Sequence, residues 1–163
     1  MTDSWEPGAA HQDAQRVEIA GRNLLVSRLI LVGYEVARPE RDRGIDLLVY
    51  GDRGPHSDFF ARPIQLKAFS REGFSLREAY RVVPRLLLVY VWHTAAPADA
   101  EFYCLTYRDA IGVANDLGWT RTASWQQGHR YTTTRPSPRV KGALEPFRMI
   151  SVRDWGRKIG TGL

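Results

Sequence analysis

The order of patterns along the chain predicts an α/β fold, a three-layer α/β/α sandwich around a central mixed sheet. Three observations carry that expectation. A long helical pattern comes first, strand-like segments follow it closely, and the later run Leu86 to Trp92 is apolar almost throughout, as in a strand covered on both faces. With 163 residues, 44% of them apolar and 25% charged, the chain has the length and composition of one ordinary domain. A core over about 13–118 and a basic, aromatic C-terminal extension over about 119–163 are expected within it.

From about Asp13 to Val32 the pattern is helical: Asp13 is placed to cap, Leu25, Leu29 and Val32 recur at helical spacing, and Gly33 stops the helix. Tyr34 to Arg38 reads as a short strand, Pro39 to Gly44 as a polar turn, and Ile45 to Tyr50 as a strand rich in branched residues. After a connection over 51–61, Arg62 to Phe69 is a strand with Ile64, Leu66 and Ala68 on one face and Gln65 and Lys67 on the other. Arg71 to Arg81 reads as loop and short helix. Leu86 to Trp92 and Glu101 to Tyr107 are strands, and a helix from Thr106 to Leu117 opens with a Thr106-x-x-Asp109 box and closes at Gly118. Thr132 to Gly142, with Pro136 and Pro138, has linker-like composition, and Phe147 to Val152 suggests one more strand.

The single cysteine, Cys104, sits in an apolar strand and can form no internal disulfide. No window is apolar enough for a membrane span, and the first residues have neither a basic start nor an apolar stretch. A soluble cytoplasmic protein is expected. His11, His56, His93 and His129 lack ligand spacing, although His11 and His56 could lie near a site mouth.

The net charge of +5 is unevenly spread. Residues 119–163 hold nine basic side chains against Glu145 and Asp154 alone, among them Arg121, Arg130, Arg135, Arg139 and Lys141. Trp119, Trp125, Tyr131, Phe147 and Trp155 interleave with them, and charge beside flat rings suits a nucleic acid. A plain solvated basic surface is the competing explanation.

The chemistry centres on four residues. Asp46 is a misfit among Ile45, Leu47, Leu48 and Val49, because a carboxylate in a core strand needs a partner. Gln65 and Lys67 project to one side of the next strand, and pairing of the two strands would gather all three. Only Lys67, Lys141 and Lys158 among the 23 basic residues are lysine, so a compact ammonium has been kept at position 67. It can approach a water or a phosphoryl oxygen as a point charge. Glu18 falls on the apolar stripe of the first helix at its N-terminal end, expected to face the sheet, with Gly21 one turn on allowing close backbone approach. Two carboxylates and an amide oxygen around one cavity make a hard-oxygen site suited to Mg²⁺ or Mn²⁺.

Glu18, then Gly33-Tyr34-Glu35-Val36, Gly44-Ile45-Asp46-Leu47-Leu48-Val49 and Ile64-Gln65-Leu66-Lys67, resemble the signature of the PD-(D/E)XK nuclease superfamily, which includes restriction enzymes and Holliday junction resolvases. The resemblance covers about residues 13–69. It implies a restriction endonuclease-like fold and a metal-dependent phosphodiesterase; a DNA endonuclease of defence, repair or recombination is expected, with RNA the less expected substrate. Glu18, Asp46, Gln65 and the Leu66 carbonyl would be its metal ligands, and Lys67 would assist the water. Two features depart from the pattern: no proline precedes Asp46, and Gln65 stands where an acid is usual. The alternative is an inactive nucleic-acid-binding or interaction module with the same fold. A homodimer fits a nuclease that must cut two strands.

Overall fold

The computed structural model describes residues 14–41, 43–51 and 59–160. The expected Asp13 cap, His11 and His56 lie outside these residues. The described chain is mixed α/β. Helix α1 (Ala14–Val32) leads into β1 (Glu35–Ala37), β2 (Leu47–Gly51), β3 (Phe60–Ala68), β4 (Phe74–Arg77), β5 (Leu87–Trp92) and β6 (Glu101–Thr106). Helices α2 (Tyr107–Asp116) and α3 (Ala123–Gly128), strand β7 (Arg130–Thr133), and helices α4 (Pro138–Leu144) and α5 (Val152–Gly160) complete it.

Five strands form the central sheet in the order β1-β2-β3-β5-β6. It is mixed: β3 and β5 run parallel, with Gln65 opposite Leu88 and Lys67 opposite Tyr90, while the other three pairings are antiparallel. Every residue of β5 is buried, because the sheet is covered on both sides. On one side α1 and α5 bury Leu25, Leu29, Trp155 and Ile159 against Leu47, Ile64, Leu66, Val89 and Cys104. On the other, α2, α4 and the β4–β7 ribbon bury Ala110, Leu144, Phe74 and Leu76 against Leu88, Tyr90 and Leu105. The result is three layers, helix on sheet on helix and ribbon.

Local chemistry explains the element ends. Gly33 takes a left-handed φ of 100°, letting the Tyr34 amide reach back to the Leu29 carbonyl and end α1. The Thr106–Asp109 box caps α2 in both directions, as its spacing predicts, and Gly118 follows in the left-handed region. Along α1 the buried positions are Gly21, Leu25 and Leu29. At Gly21 a Cβ would collide with the Cβ of Ala68, so the glycine lets α1 lie directly on β3.

Three expectations are corrected. The segment read as loop and short helix contains β4, which pairs with β7 from beyond the core helices; Phe74-Ser75-Leu76-Arg77 alternates in and out as a strand does. The proline-bearing stretch is not a linker: Pro138 opens α4, where its missing N–H costs nothing. Residues 147–150 form no strand of their own; a single bridge joins Arg148 to Tyr103, and the chain turns into α5. Among the described residues no helix is long and apolar enough to cross a membrane.

Candidate active site

Asp46 immediately precedes β2, yet its amide already bonds the Ile64 carbonyl at 2.8 Å, so its backbone is held in register with β3. Its side chain turns toward β3. The Leu66 amide donates to Oδ2 at 2.6 Å, and the Gln65 Nε2 amide donates to the same oxygen. The partly buried misfit carboxylate therefore has partners, as its place beside the core demands. Gln65 is only 6% exposed, so protein encloses nearly all of it. Its Nε2 also reaches the Leu66 carbonyl at 3.4 Å, and Gly44 nearby takes a left-handed φ of 83°, a conformation that favours glycine.

Lys67 follows two residues on and projects to the same side. Its ammonium lies 5.5 Å from the centre of the Tyr80 ring, a cation–π distance. Glu18 departs from expectation. Its side chain is 61% exposed and pairs with Arg22 at 3.5 Å instead of packing on the sheet. The apolar stripe of α1 runs through Gly21, Leu25 and Leu29, and Glu18 flanks it one turn earlier.

These side chains nevertheless meet. Glu18, Asp46, Gln65, Leu66 and Lys67 all line one open cleft of about 660 Å³ between the start of α1, the ends of β2 and β3, and the turn after β4. The cleft also takes in Arg43, Arg77 and Tyr80, which sequence reading did not single out. The in-out alternation of residues 74–77 was the available signal for Arg77.

As a cation site the cleft offers oxygens of the hard kind: the Glu18 and Asp46 carboxylates, the Gln65 amide and the Leu66 carbonyl. Among the described residues no group of three or more His, Cys, Asp or Glu side chains is gathered. A divalent ion here would thus rest on two carboxylates and neutral oxygens. The donor set fits Mg²⁺ or Mn²⁺, provided the Gln65 amide turns its oxygen toward Asp46 in place of the N–H it now presents.

The basic residues of the C-terminal segment divide. Lys141 is tied to Glu72 at 2.7 Å and Arg139 to the Asp116 carbonyl at 3.0 Å, while Arg121, Arg130 and Arg135 are exposed. The aromatic expectation is corrected: Trp119, Trp125 and Trp155 are buried and Tyr131 stacks on Trp119 at 4.1 Å, because these rings fill the two cores. No protein-family model, curated protein or solved structure matches the chain.

Proposed function

We propose that the chain is a metal-dependent endonuclease of the PD-(D/E)XK kind, with a restriction endonuclease-like fold, that hydrolyses phosphodiester bonds in DNA. One observation carries the reading: Glu18 of α1, Asp46 at the entry to β2, and Gln65 and Lys67 of β3 line a single open cleft with cations at its edge. Asp46 and Glu18 would hold Mg²⁺ or Mn²⁺, with Gln65 and the Leu66 carbonyl completing the oxygen set. The ion, when bound, polarises the scissile phosphate and lowers the pKa of water beside it.

The chain's own residues do the rest. The Leu66 amide fixes one Asp46 oxygen, which sets the direction of the other. Lys67 orients the attacking water and offsets negative charge as the P–O bond to the leaving group breaks. Tyr80 beneath the ammonium restricts where that charge sits. Cutting both strands of a duplex needs two such sites, so a homodimer belongs to the reading.

A second reading has a specific observation behind it. Among the described residues two carboxylates reach the cleft, and Asp46 is already bonded to the Gln65 amide, as in a site that has dispensed with metal. That reading makes the protein a nucleic-acid-binding module of the same fold.

Incubation of the purified protein with linear, supercoiled and branched DNA, and with RNA, in Mg²⁺ or Mn²⁺ separates them. The nuclease reading expects metal-dependent nicking or cutting of DNA, lowered by about two to three orders of magnitude in both Asp46→Ala and Lys67→Ala. Intact DNA with every metal, while binding persists in both variants, would favour the module. Cleavage confined to RNA would reassign the substrate.

A further inference from the structure

The β4–β7 ribbon has one face in the core and one in water. Phe74, Leu76 and Tyr131 point inward. The outer face carries Ser75, Arg77, Arg130 and Thr132, with the two hydroxyls 3.0 Å apart at its middle. Arg77 and Arg130 are register partners, which places their Cβ atoms about 5 Å apart. Like charges so placed destabilise a ribbon.

Among the described residues no carboxylate pairs with them. The two acids flanking β4 bond elsewhere, Glu72 to the Lys141 ammonium and Glu78 to the His129 imidazole, each at 2.7 Å. At the opposite end of the ribbon, Arg71 and Arg135 line a second cleft of about 470 Å³ that begins where β3 ends. Among the described residues none of these four guanidiniums forms an ion pair. Charge held without a protein partner, in planar forks that match phosphate oxygens two at a time, points to an anionic ligand with repeated phosphates.

We infer that the outer face of the ribbon is a track for the sugar–phosphate backbone of a DNA strand. Arg77 and Arg130 grip it at the rim of the catalytic cleft, which Arg77 also lines, and Arg71 and Arg135 grip it further along. From residue 74 to residue 77 the strand rises about 10 Å, comparable to the rise of about three nucleotides of B-DNA. The Ser75 and Thr132 hydroxyls lie between the pairs, and whichever of the two accepts in their mutual bond keeps its proton to donate to a phosphate oxygen. That the bound strand feeds a cutting site rests on the nuclease reading; the track itself does not.

Fluorescence anisotropy of a short labelled duplex, titrated in EDTA over a series of NaCl concentrations, tests it with Arg71→Ala, Arg77→Ala, Arg130→Ala, Arg135→Ala and the control Arg153→Ala. Arg153 is exposed on α5, across the sheet. Each ribbon variant is expected to weaken binding severalfold and to lower the slope of log K against log[NaCl] by about one, whereas the control keeps the wild-type slope. Ribbon variants that bind like wild type, a control that loses as much as they do, or a wild-type chain that binds no duplex each overturns the track. The nuclease reading fails separately: weakened binding in the ribbon variants of a chain that never cuts supports the track and sinks the enzyme. Cutting that is unaffected by the ribbon variants does the reverse.

Discussion

Asp46 shows how one carboxylate survives at the edge of a core. Two donors, the Leu66 amide and the Gln65 amide nitrogen, converge on one of its oxygens. Replacing that second donor by an acceptor tests what the pairing is for. Gln65→Glu is expected to lower unfolding stability in EDTA by roughly 1–3 kcal/mol, since two carboxylates then face each other. Mg²⁺ should restore most of that loss, which calorimetry with and without the ion reads directly. A melting temperature in EDTA equal to wild type would show that the amide contributes nothing there. Cys104 is the opposite case: burial pushes its thiol up to about 12, against the pull of Lys158 and Arg62. The native protein should leave disulfide reagents unconsumed at pH 8 and react fully once unfolded.

Two elements owe their placement to single residues. Alanine ordinarily favours a helix interior over glycine by about 1 kcal/mol, yet Gly21→Ala should destabilise this chain. The added methyl meets Ala68 on β3, a contact with no flexible end to yield, so α1 must lift and carry Glu18 from the cleft. Restoration of stability in the double variant Gly21→Ala, Ala68→Gly, followed by urea denaturation, would identify that contact as the cause. Helix α5 hangs on Arg62. Its guanidinium, 3% exposed, donates to the Lys158 and Ile159 carbonyls at 3.2 Å and to the Arg85 carbonyl at 3.3 Å. Burial lowers its pKa, with Arg85 adding to the shift, and the negative end of α5 takes the place of an acid. Arg62→Met should cost on the order of 3 kcal/mol by leaving those carbonyls unbonded; a loss within error of zero would mean that water replaces the guanidinium without cost.

Across the whole molecule the pairs that join distant segments set the response to acid. Asp109, at the start of α2, meets Lys158 of α5 at 2.6 Å. Burial by itself would raise its carboxyl, but Lys158 and the Thr106 amide and hydroxyl overcome that and hold it below its ordinary 3.8. A group with a depressed folded pKa contributes stability that is complete above its unfolded value and is lost as pH falls through the folded one. Unfolding free energy should therefore decline below about pH 4. Asp109→Asn should make that decline shallower and remove no more than about 1 kcal/mol at pH 7, as befits a partly exposed pair. Urea titrations from pH 2 to 7 check both; an equally steep decline in the variant would place the acid response elsewhere.

Much of this was legible in local pattern. The extent of α1, its end at Gly33, the capped start of α2 and the buried run of β5 all follow from spacings that act within a few residues, because helix periodicity, caps and strand alternation are short-range constraints. The order Asp46, Gln65, Lys67 was readable for the same reason: adjacent strands joined by one connection pair readily, so their inward positions meet. What crosses the chain was not. Pairing of Phe74 with Thr133 and of Arg77 with Arg130 joins β4 to a strand beyond α2 and α3, and a four-residue strand carries too little pattern to announce a partner so distant. Nor does composition tell a tryptophan that fills a core from one that awaits a base. Trp119, Trp125 and Trp155 went inward because two faces of one sheet had to be covered, while Arg121, Arg130 and Arg135 stayed in water because desolvating an unpaired charge costs more than any ring contact returns.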